Sequence, residues 1–212
     1  MKTVFHRADT RGFFDYNWLQ TYHTFSFGNY HDPERVHFGR LRVLNDDTVA
    51  PGQGFGTHPH DNMEIVTIVL SGELAHKDSA GHEMTIGENE VQIMSAGTGI
   101  KHSEYNYSDT QAVSLLQIWV FPDAKGYEPR YDQKWFDPEE RKNNPQLLVA
   151  PEGQDSALWL HQQTYFSRAE FTQETSLDYS LQAQDFGLYI FMIKGSAEVA
   201  GEELNARDGL GV

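Results

Sequence analysis

Two short segments of this chain carry residues whose types and spacing suit a metal ion: His58-Pro59-His60 and, further along, His102-Ser103-Glu104. Successive side chains on a strand point to opposite faces, so on strands His58 and His60 would share one face, as would His102 and Glu104. Two such strands side by side would converge four donors. Neutral imidazoles with one carboxylate make a mixed nitrogen and oxygen set that suits first-row divalent metals, and a six-coordinate ion there keeps two positions open for chemistry. With ten histidines in 212 residues, one His-x-His pair is a weak signal. Its surroundings strengthen it: the pattern is Gly52-x5-His58-x-His60-x3-Glu64-x7-Gly72, and Gly97-Thr98-Gly99 brackets a turn just before His102.

The elements that must position these residues read as strands. Short runs rich in Val, Ile, Phe and Tyr alternate with Gly, Pro, Asn and Asp clusters, and apolar helical periodicity is scarce. The pattern predicts strands over 37–44, 64–70, 73–77, 91–94, 100–105 and 113–121, with a hairpin turn at Asp78-Ser79-Ala80-Gly81. Many short strands at this spacing predict an all-β sandwich or barrel with the metal site inside. Residues 122–145 hold four prolines and no alternation, and read as a crossing linker with a domain boundary in it, giving units at 1–130 and 131–212.

The second unit echoes the first. Ile190-Phe191-Met192-Ile193-Lys194-Gly195-Ser196 parallels Thr67-Ile68-Val69-Leu70-Ser71-Gly72-Glu73, and Gly201-Glu202-Glu203-Leu204 parallels Gly81-His82-Glu83-Met84, with a shorter hairpin between. This reads as an internal duplication. The same offset puts Leu181 and Ala183 opposite His58 and His60, so the second copy is expected to hold no metal.

Composition excludes other chemistry. With no cysteine, disulfides, iron–sulfur clusters, thiolate zinc sites and a cysteine nucleophile are all removed, and a reducing compartment is expected. The N-terminal residues lack an apolar signal core and no run is long enough to span a membrane, so a soluble cytoplasmic protein is expected. Sixteen basic against thirty-one acidic residues give a formal charge of -15, which repels phosphate backbones and anionic lipid; neither nucleic acid nor membrane is an expected partner.

Three longer stretches, His23-Thr24-Phe25-Ser26-Phe27-Gly28-Asn29-Tyr30-His31-Asp32-Pro33, Gly54-Phe55-Gly56-Thr57-His58-Pro59-His60 and residues 92–104 ending in His102-Ser103-Glu104, resemble a bicupin and, more narrowly, the pirin family. The resemblance runs nearly the full length. It implies an all-β bicupin of two jelly-roll barrels, with one iron-type metal in the N-terminal barrel held by His58, His60, His102 and Glu104. Iron(II) is expected first, with manganese, nickel, cobalt, copper and zinc as alternatives. Pirin-like proteins continue past the point where this chain stops, so either the last strands are missing or the second barrel is open at its C-terminal end. Glu64 follows His-x-His as the general cupin motif places its ligand glutamate, and parity along an unbroken strand would permit it, but the pirin pattern uses Glu104; Glu64 stays open between a ligand and a carboxylate orienting a ligand histidine.

The resemblance also implies quercetin 2,3-dioxygenase activity: a flavonol-like aromatic substrate, cleaved by O2, yielding a depside and carbon monoxide. The substrate hydroxyl needs a base, and Glu104 is the candidate. The alternative is a metal- or redox-sensing regulatory protein that binds a protein partner without turnover. Phe27, Phe38 and Phe55 are candidates to line a planar pocket, though core packing explains each as well. His6, His31, His37, His76, His82 and His161 are read as exposed or hydrogen-bonded structural residues, and His23 is given no role.

Overall fold

A computed structural model describes residues 3–212. Nineteen strands and two short 3-10 segments are present among the described residues, so the all-β expectation holds. In chain order the strands are β1 (Val4–His6), β2 (Gly12–Asp15), β3 (Leu19–His23), β4 (Leu41–Val49), β5 (Gly54–His60), β6 (Glu64–Ser71), β7 (Leu74–Asp78), β8 (Glu83–Ile86), β9 (Glu90–Ser95), β10 (Ile100–Asn106), β11 (Val113–Val120) and β12 (Arg130–Trp135). There follow β13 (Gln146–Pro151), β14 (Leu158–Leu160), β15 (Phe166–Arg168), β16 (Tyr189–Phe191), β17 (Ala197–Val199), β18 (Glu202–Leu204) and β19 (Gly209–Gly211). No helix of the described residues is long and apolar enough to cross a membrane.

A seven-stranded antiparallel sheet, in the order β12-β9-β6-β11-β4-β3-β2, is the centre of the molecule. One face packs on a four-stranded sheet, β5-β10-β7-β8; Leu74 and Ile86 of that sheet join Leu19, Val49, Val69, Val113 and Leu115 in a buried cluster. The other face packs on the C-terminal half, where Val66, Ile68, Val91, Ile93, Leu116 and Ile118 meet Phe136, Leu148, Val149, Leu158 and Leu160. Strand β6 is therefore largely apolar on both faces, which is why it reads as an apolar run from Ile65 to Leu70 interrupted by Thr67. Each of its buried aliphatic side chains contributes roughly 1.5–3 kcal/mol. A charge placed at Val66 would wet the contact between the central sheet and the C-terminal layer.

The C-terminal half contributes β14-β13-β15, the hairpin β17-β18 and a sheet of order β1-β19-β16. The chain thus exchanges strands across the expected division at residue 130. N-terminal β1 pairs with β19, while β12, which begins at Arg130, pairs over six residues with β9 of the N-terminal sheet. The expected linker over 122–145 accordingly contains an edge strand; its alternating Tyr131, Gln133 and Trp135 are diluted by charged neighbours and carry little apolar signal. The strand expected over 37–44 begins later. Phe38 and Leu41 close a tight turn with paired backbone bonds of 2.9 and 2.8 Å around Gly39 at φ 53°, and β4 continues instead through the polar Asn45-Asp46-Asp47 to Val49.

The duplicated hairpins match the sequence reading. Lys77 pairs with Glu83, leaving five residues between them, whereas Val199 pairs with Glu202, leaving two, so the second hairpin is three residues shorter. Ala200 and Gly201, at φ 52° and 81°, form the two-residue turn whose twist suits a hairpin.

Candidate metal centre

Strands β5 and β10 lie antiparallel with His102 opposite His58 and Ile100 opposite His60. Alternation then brings His58, His60 and His102 to one side, with ring centroids 4.4–4.9 Å apart and one donor atom from each within 4.8 Å of the others. Between His102 and Glu104 the register with β5 shifts, so that Glu104 faces Phe55. The extra residue lies on β5, so it re-phases Phe55 against Glu104, while Glu104 points into the sandwich by simple alternation with His102 on the regular β10. Gly54 permits the close approach: a Cβ there would sit 2.2 Å from the Glu104 carbonyl oxygen.

Glu104 is buried, and Gln117 Nε2 of β11 donates to both its oxygens at 3.3 and 3.1 Å, across the sandwich. Burial pushes its carboxyl up to about 7, against the hydrogen bonds from Gln117 and Thr67. The structure places Glu104 in a second donor group, with His102 and His76, rather than in the group of His58, His60 and His102. His102 belongs to both.

His60 and His102 are held neutral, the form a metal requires. Burial first, and neighbouring His58 second, lower His60 to about 4; burial and the adjacent rings lower His102 to about 2. Hydrogen bonds fix the tautomers of His58 and His102. His58 Nδ1 lies 2.8 Å from the Gly56 carbonyl, which can only accept, so Nδ1 carries the proton and Nε2 a lone pair. Behind His102 stands His76, the Cα partner of Glu104 on β7, with the two Nδ1 atoms 3.5 Å apart. His76 Nε2 lies 3.3 Å from Asp78 Oδ2. A carboxylate accepts, so His76 donates from Nε2 and offers a lone pair at Nδ1; His102 Nδ1–H is then the donor between the rings. His102 Nε2 is left with its lone pair, and it is buried without a partner.

Asp78 is itself well held. Its Oδ1 accepts from the backbone N–H groups of Ala80 and His82 at 2.9 and 3.0 Å, its Oδ2 lies 2.8 Å from His82 Nδ1, and Tyr131 stacks against both His76 and His82. His76 and Asp78 alternate on β7 as the candidate pairs do on β5 and β10, the one sequence signal for this support.

Glu64, left open by the sequence, bonds outside the imidazole cluster. It is buried on the opposite face of β6 from Thr67, where its Oε2 accepts from Ser95 Oγ at 2.7 Å and its Oε1 lies 3.1 Å from His161 Nδ1 of the C-terminal half. Of the three phenylalanines, Phe38 packs in the C-terminal core, while Phe27 and Phe55 border a cavity next to the imidazole cluster. Trp119 packs edge-on against both Phe27 and His60, at centroid distances of 5.2 and 4.9 Å.

The donor set fits a transition-metal ion: three converging imidazoles, one of them with an orphaned buried lone pair, and a buried carboxylate beside them. Among known proteins, the family model described as Pirin matches residues 4–120 and that described as Quercetinase C-terminal cupin domain matches residues 147–212. The chain is 42% identical over 206 residues to a quercetin 2,3-dioxygenase of Escherichia coli (strain K12), covering 97% of this chain and 87% of that protein. It is 37% identical over 205 residues to a pirin-like protein of Caulobacter vibrioides, covering 96% and 88%. The crystal structure of bacterial pirin YhhW from Escherichia coli in complex with nickel(II) is similar at a TM-score of 0.93 and 40% identity, covering 100% of this chain and 90% of that one.

Proposed function

Because this chain belongs to the pirin family, we propose that it is a metal-dependent dioxygenase of the quercetin 2,3-dioxygenase type, opening a flavonol with O2 and releasing a depside and carbon monoxide. The observation that carries this reading is the convergence of His58, His60 and His102 beside buried Glu104, with the lone pair of His102 Nε2 unpartnered. His58, His60, His102 and Glu104 would hold one divalent transition metal, iron(II) first, with nickel, manganese, cobalt, copper or zinc as alternatives. When bound, the ion supplies Lewis-acid polarisation of the substrate's enolic oxygen and brings it together with dioxygen.

The chain's own residues prepare this. Asp78 and His76 set the tautomer of His102, as outer partners of ligand histidines commonly do. Trp119 packs on His60 and keeps its ring from rotating. Gln117, bonded to Thr67 Oγ1 at 3.4 Å, holds the Glu104 carboxylate in place. Glu104 is also the base that takes the proton of the flavonol 3-hydroxyl, being the carboxylate beside the imidazoles.

The test is anaerobic reconstitution with iron(II), then quercetin addition with oxygen uptake and carbon monoxide release recorded together, using His58→Ala as control. Equimolar uptake and release that disappear in the variant are expected. Stoichiometric metal binding with neither gas changing would refute the assignment. Undiminished turnover in Glu104→Gln, with metal retained, would remove the base role alone.

A further inference from the structure

We propose that a small cavity beside the imidazole cluster, walled by His23, Asn45 and Asp47, is a specificity subsite that takes one hydroxyl-bearing aromatic ring of the substrate. The proposal rests on the flavonol reading above and adds to it the residues that would choose among flavonols.

The cavity follows from strand register. On β3 and β4, His23 pairs with Asn45 and Thr21 with Asp47, so alternation sends all four side chains to the same side of the central sheet. Asn45 in turn pairs with Gln117, the residue that holds Glu104. The space they enclose is about 160 Å³, with Phe27, Phe55 and Tyr16 as its aromatic walls. A cavity of about 150 Å³ admits benzene, so the space suits one six-membered ring. Phe27 packs on Trp119, which packs on His60, and Phe55 is the Cα partner of Glu104, so the cavity is one side chain removed from His60 and from Glu104.

Its polarity is what points to a ligand. His23, Asn45 and Asp47 are 5%, 3% and 3% exposed, yet His23 Nδ1, Asn45 Oδ1 and Asp47 Oδ1 each lack a hydrogen-bond partner. Buried polar atoms are nearly always partnered, because one left bare keeps the full cost of its lost hydration. Three bare atoms around one ring-sized space form a set that phenolic hydroxyls would complete. Burial reinforces the chemistry: it lowers His23 to about 4, keeping the ring neutral, and raises Asp47 to about 7 despite a bond from Thr21. The cavity thus offers a neutral imidazole, an amide and a carboxyl at its rim, with apolar walls for the ring face. Phenols with hydroxyls spaced round the ring match it; unsubstituted aromatic rings leave the three atoms bare.

The test compares wild type with Asn45→Leu, a near-isosteric change, and with Asp47→Asn, using protein loaded with redox-inactive zinc and resorcinol as probe, by calorimetry or NMR titration. Saturable resorcinol binding, at least about tenfold weaker in Asn45→Leu while its Tm stays level or rises, is expected, since removing an unpartnered polar atom does not cost stability. In the iron(II) form, the preference for quercetin over 3-hydroxyflavone, read as the ratio of kcat/KM, should fall by a similar factor in either variant. Resorcinol binding without quercetin turnover would leave the subsite standing and sink the dioxygenase reading. Equal affinity of wild type for resorcinol and toluene, or an unchanged substrate ratio in both variants, would overturn the subsite and leave the cavity as a water site.

Discussion

Gly54 tests whether the contact between β5 and β10 sets the candidate metal centre. In Gly54→Ala the new Cβ would lie 2.2 Å from the Glu104 carbonyl oxygen, 2.5 Å from Tyr105 Cα and 2.7 Å from Tyr105 Cγ. Carbon atoms rest at about 3.5–4.0 Å, so the strands must part by roughly 1 Å at this point. No positive φ is involved; the cost is steric. Parting by that much breaks the local ladder bonds, about 0.5–1.5 kcal/mol each, on top of about 1–3 kcal/mol for overpacking. A total of about 2–5 kcal/mol corresponds to a fall in Tm of roughly 5–15 °C for a chain of this size. His58 rides on the displaced strand, and ligand sets tolerate only about 0.5 Å of misplacement, so affinity for zinc or nickel should fall by roughly an order of magnitude or more. Thermal melts and calorimetric metal titration read the two effects. Gly56→Ala is the control on the same strand: its Cβ would meet only the Tyr105 hydroxyl at 3.8 Å, and stability should change by less than about 0.5 kcal/mol. If Gly54→Ala melts and binds metal like Gly56→Ala, the close approach of these strands is not what fixes the site.

Asp78→Asn removes the acceptor that sets the His76 tautomer, and through it that of His102; zinc affinity should fall about 10–100-fold with little change in fold, and calorimetry showing wild-type affinity would refute the chain of tautomers. The metal-free protein should be most stable near pH 6.5. Burial lowers His6, His23 and His60 to about 4, His102 to about 2, and His76 also below its ordinary value, so between about pH 4 and 6.5 the unfolded chain binds more protons at these groups and stability rises with pH. Burial raises Asp47 and Glu104 to about 7, so there the folded chain binds more protons and stability falls with pH until about 7; the five histidines outnumber these two below pH 6.5, and only the two act above it. Melting scans from pH 4.5 to 8 check this: a Tm still climbing between pH 7 and 8 would contradict it, and Asp47→Asn should flatten the alkaline decline.

The sequence disclosed most where apolar pattern and local spacing coincide. Strands β6, β9 and β11 stand out because both faces or one face are largely aliphatic, β10 stands out by its Gly-framed His-x-Glu, and the bicupin architecture expected from the resemblance is borne out by the matched cupin domain and the structural likeness to YhhW. His58, His60 and His102 were legible because their parity on a strand needs no partner. Strand β12 was hidden by its charged residues, and the polar middle of β4 read as a break. The role of His76 and the cavity of His23, Asn45 and Asp47 depend on which strands pair and in what register, which a single chain does not state. Glu64 stayed open for a related reason: it shares a face with Val66 and Ile68, and only the pairing of layers shows that this face meets the C-terminal half.

That division of faces explains how a half of the chain without ligand residues can bear on the site. In Asn45-Asp46-Asp47 the outer two side chains wall the cavity, while the middle one turns to the opposite face and holds Arg11 at 3.2 Å and Arg207 at 3.0 Å. In the same way, Thr67 serves Gln117 and Glu104 from one side of β6 while Glu64 holds His161 on the other. The alternate positions Leu44, Val66, Ile68, Val91, Ile93, Leu116 and Ile118 of the central strands are thus committed to the C-terminal layer. Slipping one strand by a residue would bury charges in one layer and turn apolar side chains into the cavity. The second layer therefore fixes the register on which the imidazoles, Glu104 and the cavity all depend, and does so with apolar contacts and the paired charges of Asp46 and Glu64, without a donor of its own in the site.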